Sequence, residues 1–94
     1  MRFDKYTTQV ASDIIRDGLG VELLDEEGDI VAEVFRCDAS ETVTFEAFKQ
    51  GVSSAVKDQF VAYARERLGT FESGKPLGTI EVLSPNNSLQ ARRP

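Results

Sequence analysis

The sequence predicts an α+β domain: an N-terminal helix, a three-stranded antiparallel meander, and an amphipathic helix packed on the sheet. Three observations carry that expectation. An apolar run over Ile30–Cys37 is followed by an alternating run, and both have strand length. Acidic turn residues with a glycine, Asp25-Glu26-Glu27-Gly28-Asp29, precede them. After them, residues 53–68 repeat apolar side chains at helical spacing between a serine cap and a glycine. The stretch from Gly28 to Leu68 is therefore the unit around which the rest is organised.

Taken in order, residues 4–17 place Tyr6, Val10, Ala11, Ile14 and Ile15 near the spacing of one helical face. Asp4 is available as N-cap, and Gly18 and Gly20 as a C-terminal stop. The β-branched Thr7, Thr8 and Val10 weaken that helix, so it needs a core to hold it. Val21, Leu23 and Leu24 begin a strand that ends in the acidic turn. A type I turn with Gly28 in the left-handed conformation suits that turn. The four carboxylates within five residues also raise a cation site, but a calcium loop places its glycine sixth and a glutamate twelfth, and this spacing fails.

The alternation of Val43, Phe45 and Ala47 with Thr44 and Glu46 predicts the third strand, within Glu41–Phe48. Gln50-Gly51 then breaks the chain. Ser53 or Ser54 caps the second helix, Arg65 and Arg67 suit its C-terminal end, and Gly69 follows it. Val56, Phe60, Tyr63, Ala64 and Leu68 form its apolar face, with Asp58, Ala62, Arg65 and Glu66 turned away. These elements define one domain over residues 1–72, with a C-terminal extension over 73–94. In the extension, Thr79–Leu83 alternates well enough to add a short fourth strand. Ser73–Pro76 and Pro85–Ser88 read as turns, and Leu89–Pro94 as a tail.

Composition limits the chemistry. The 94-residue chain has no histidine and one cysteine, which removes histidine-based catalysis, most catalytic metal sites and any intrachain disulfide. Cys37 reads as a small strand residue, although Arg36 beside it could lower its thiol pKa. No apolar run approaches the roughly 20 residues that span a bilayer. Met1–Tyr6 lacks the apolar core of a signal peptide, so a cytoplasmic location is the expectation. Ser54-Ala55-Val56-Lys57 matches S-x-x-K, where a lysine could activate a serine. The other motifs of that chemistry are missing, and a capping serine explains it. Asn86-Asn87-Ser88 is formally a glycosylation sequon but carries no meaning without a secretion signal. Arg92-Arg93 is too short for a nucleic-acid arm, and no glycine loop is built for phosphate.

Charge is the remaining signal. The net charge is −5, yet residues 21–50 hold nine carboxylates against Arg36 and Lys49. That disfavours nucleic acid and anionic membrane as partners. The expected function is a small acidic, non-enzymatic protein-binding module of inhibitor, immunity, antitoxin-like or adaptor type. Its partner is a protein with a basic surface, met through Asp25, Glu26, Glu27, Asp29, Glu33 and Glu46. Glu33 and Glu46 could also face each other as an acid–base pair, though nothing marks a pocket there. The alternative function is a self-associating structural homodimer, suggested by a strand apolar on both faces together with an extra strand in the C-terminal extension that could complete a sheet across a two-fold. A small enzyme or ligand binder ranks last, and neither cofactor nor metal is expected.

Overall fold

A computed structural model describes residues 2–83. Six strands form one sheet in chain order, β1 (Arg2–Phe3), β2 (Tyr6–Asp13), β3 (Gly18–Leu24), β4 (Ile30–Cys37), β5 (Thr42–Ala47) and β6 (Glu81–Leu83). Neighbours from β1 to β5 are antiparallel, whereas β6 returns parallel to β5 after the helix α1 (Ser54–Leu68). The result is a mixed sheet with α1 across one face. The three-stranded meander expected from the sequence is therefore wrong: the sheet has six strands, because β1–β2 pair onto one side of β3–β5 and β6 pairs onto the other.

The N-terminal helix expected over residues 4–17 does not form. Asp4 adopts φ 55° in the turn between β1 and β2, and residues 6–13 are a strand paired with β3 from Thr7 to Asp13. The spacing that suggested a helix is ambiguous in itself. Tyr6 and Val10 are four residues apart, which is about one helical turn and also two strand repeats. Pairing with β3 selects the strand, and the β-branched residues favour it. Ile14 and Ile15, assigned to the helix face, instead occupy the β2–β3 turn and are 93% and 96% exposed.

Helix α1 lies where its local signals placed it. Ser53 is the cap, its side-chain oxygen accepting from the Val56 amide at 3.2 Å, and Gly69 ends the helix with φ 67°. Val56, Phe60, Ala64 and Leu68 are buried against the sheet, facing Val21, Leu23, Val34, Val43 and Phe45. Phe60 meets Phe45 edge to face with ring centroids 6.4 Å apart, and Tyr63 meets Phe3 similarly at 5.7 Å. Arg36 reaches out on this side and donates to the carbonyls of Leu68 and Thr70 at 2.6 and 2.9 Å. These bonds satisfy carbonyls at and just beyond the helix C-terminus.

Beyond the helix, Phe71 and Leu77 are buried in the same core. The turn at 73–76 closes with the Phe71 amide donating to Lys75 O, and the fourth strand suggested over 79–83 forms at its end as β6. The turn at 85–88, the sequon and the tail lie outside the described residues.

Candidate binding surface

With α1 on one face, no other helix or strand among the described residues covers the opposite face of β2–β5, here called the open face. Strand alternation aims one row of side chains out of it, formed by Gln9, Glu22, Glu33 and Glu46 on four successive strands. Glu22 pairs directly with Glu33, and Glu33 with Glu46. Like charges placed opposite one another destabilise a sheet, so this row opposes folding unless something neutralises it.

Arg16 neutralises part of it. From the β2–β3 turn its guanidinium folds back over the face, with Nη1 and Nη2 donating to the two Glu33 oxygens at 3.0 and 2.9 Å. Its Nε donates to Asp13 at 2.6 Å, and its carbon lies 3.9 Å from the Phe35 ring centroid. Stacking and a forked carboxylate contact use the guanidinium plane and its edge together. The hydrogen bonds to Glu33 chiefly, and to Asp13, push the Arg16 pKa up further. Arg16 in turn holds the Asp13 carboxyl below its usual range.

The sequence reading missed this cluster because it assigned Gly18 and Gly20 to a helix stop. Both are in β3, under Phe35. A Cβ on Gly20 would lie 3.2 Å from the Phe35 ring and 2.8 Å from a Glu33 oxygen, and one on Gly18 would lie 1.9 Å from Arg36 O. The glycines thus give the ring a floor, and Arg16 gives it a cover. Phe35 is only 5% exposed although it points away from the helix, and Glu33 only 8%. The outward apolar residue of β4 that suggested a second copy is covered within one chain.

The other acids separate into two groups. Asp25, Glu26, Glu27 and Asp29 form the β3–β4 turn, where Gly28 has φ 87°. Asp25 Oδ1 accepts from the Glu27 and Asp29 amides at 3.0 and 2.9 Å, and Lys49 Nζ bridges Asp25 and Asp29 at 3.2 and 2.8 Å. The Asp29 amide first, and Lys49 after it, hold the Asp25 carboxyl below its usual range. Carboxylate oxygens of Asp25, Glu27 and Asp29 come within 4.8 Å of one another, but the turn and Lys49 account for that convergence. Glu26 and Glu27 stay exposed at the tip.

On the open face, Gln9 donates to Glu22 at 2.6 Å without cancelling its charge. Glu46 has no hydrogen bond or ion pair among the described residues. A shallow depression of about 430 Å³ collects Arg16, Glu22, Ile30, Glu33, Glu46 and Phe48. Ile30 and Phe48 supply its apolar wall and are 39% and 49% exposed. The expected set of six acids therefore contributes Glu33 and Glu46 to this surface. Glu22, Arg16, Ile30 and Phe48 complete it, and the repeated Glu-x-Phe at 33–35 and 46–48 was the signal that could have pointed to them.

Two other features are accounted for locally. Arg36 points to the helix side, so the lowered Cys37 thiol pKa comes first from the Ser40 side chain instead. Ser54 and Lys57 share no hydrogen bond among the described residues. A second groove of about 510 Å³ runs between α1 and β6, with Phe45, Val61, Ile80 and Val82 in its walls. Arg65 at its rim is committed to Gly78 O at 2.7 Å. No helix among the described residues is long and apolar enough to cross a membrane. Comparison with protein-family models, with curated proteins and with solved structures returns no match, so the reading of this surface rests on its own geometry.

Proposed function

We propose that the protein is a small acidic, non-enzymatic binding module whose open sheet face engages a basic surface of another protein, in a cytoplasmic setting. It belongs by this reading with inhibitors, immunity proteins, antitoxin-like proteins or adaptors. The observation that carries it is the cross-strand row Glu22, Glu33 and Glu46, three carboxylates in direct register. With Asp13 the face carries four carboxylates, and among the described residues the Arg16 guanidinium pairs with two of them, Asp13 and Glu33. A feature that opposes folding and lies on a solvent-facing surface is where function is expected to override local stability. A cationic partner would relieve the repulsion on binding, and the field of the face would speed its approach.

Glu26 and Glu27 at the turn tip extend the acidic field, while Asp25 and Asp29 are already engaged by Lys49. The effective charge reversal is therefore Glu22→Lys with Glu46→Lys. Tagged wild type and this double variant are compared for capture from native extract at low and high salt. The expected result is a basic protein held by wild type at low salt, released at high salt and absent from the variant. An identical set of captured proteins for both forms would overturn the reading.

A further inference from the structure

The open face repeats one short pattern on neighbouring strands. Glu33-Val34-Phe35 lies on β4, and Glu46-Ala47-Phe48 runs off the end of β5. The two glutamates are cross-strand partners, so antiparallel pairing sends the two phenylalanines to opposite sides of them. The Phe48 amide still donates to Val31 O at 2.8 Å, which keeps the second pair in the sheet frame.

The first pair is filled. Arg16 lies on the Phe35 ring and forks onto Glu33, so the molecule itself shows what such a pair holds. The second pair has the same two groups, and among the described residues no cation bonds to Glu46 or stacks on Phe48. Arg16, at the edge of the same depression, is committed to Glu33, Asp13 and Phe35. Glu46 has no polar partner among the described residues, Phe48 is half exposed, and the adjacent Lys49 is held by Asp25 and Asp29. Ile30 stands beside Phe48, and Glu22 adds a further carboxylate to the same depression.

We propose that Glu46 and Phe48 take an arginine side chain of the partner protein, as Glu33 and Phe35 take Arg16. Ile30 contacts the aliphatic stem of that arginine, and Glu22 adds to the field that draws it in. Arginine fits better than lysine because its flat, weakly hydrated cation stacks on a ring while its edge forks onto a carboxylate. The inference rests on the reading of the open face as a basic-partner surface, and it narrows the recognised group from positive charge to guanidinium.

The test is an amide NMR titration of the full chain at low salt with two capped hexapeptides. One alternates glycine with arginine and the other glycine with lysine. The arginine peptide is expected to shift Ile30, Glu46 and Phe48 and to bind about three- to tenfold more tightly than the lysine peptide. Phe48→Leu should abolish that preference while leaving charge-driven binding of both peptides. Glu46→Gln should weaken the arginine peptide more than the lysine peptide, and it provides the answer if Phe48→Leu disturbs the fold. Equal affinities in wild type would overturn the arginine assignment and leave the basic-surface reading standing. Shifts confined to Glu26 and Glu27 would overturn it and move the contact to the β3–β4 turn. No response to either peptide would overturn both readings.

Discussion

The two faces of the sheet solve opposite problems. The covered face gathers Val21, Leu23, Val34, Val43 and Phe45 under Phe60, and its stabilisation comes from apolar area removed from water. The open face sets three glutamates in register, buries one of them, and leaves a phenylalanine and an isoleucine half exposed. Among the described residues, Arg16, arriving from a turn, is the cation that reaches this row, at Glu33. The difference teaches that one well-packed layer supplies enough stability for the opposite layer to carry unfavourable charge.

Mutations on each face test this division. Phe60→Ala on the covered face should have the largest effect, a loss of about 3–5 kcal/mol in urea unfolding. A loss far smaller than that would mean the dry layer is not what holds the fold. Arg16→Ala on the open face should lose about 1–3 kcal/mol, because Glu33 is left buried without its two strongest donors. Adding Glu33→Gln to that variant should restore part of the loss. Two single losses that simply add would show that Arg16 and Glu33 do not act as a unit.

Glu46→Gln should act in the other direction and stabilise by about 0.2–1 kcal/mol, since it removes one of two directly opposed like charges. The gain should shrink as salt rises, and a destabilised Glu46→Gln would contradict the view that the row opposes folding. The smallest expected effect is that of Lys49→Met, read as a melting-temperature difference against pH. Asp25 has a folded pKa below its usual 3.8, so its ionised form adds stability above that value, lost as pH falls through the lower folded value. Lys49 has a folded pKa above its usual 10.5, raised chiefly by Asp29, so its contribution is present below that value and lost as pH rises past the folded one. The difference between wild type and variant should therefore be present at neutral pH and fade towards both extremes. A difference that persists in strong acid would point to packing of the Lys49 stem instead.

Much of the interior was legible. The span of β4 could be read from a run that is apolar apart from Glu33 and Arg36, and α1 from a serine, a four-residue apolar rhythm and a glycine, signals that act between residues close along the chain. The N-terminal segment was not legible, because a spacing of four between Tyr6 and Val10 serves a helix and a strand alike. For the surface, the acids were visible as charges but their states were not. Asp25 and Asp29 looked as available as Glu46 until Lys49, some twenty residues away in the chain, was seen to bridge them. Gly18 and Gly20 looked like a stop until Phe35 was found lying over them.

By itself the sequence determined an acidic chain without histidine chemistry, the helix α1, the interior strands and the turn at Gly28. These follow from composition and from interactions between residues close along the chain. The tertiary structure alone decided that residues 6–13 are a strand, which glutamates stand opposed, and which of them a cation reaches. Those outcomes depend on strand register and on side chains brought together from distant positions. A one-residue slip in register would turn every one of these groups to the other face.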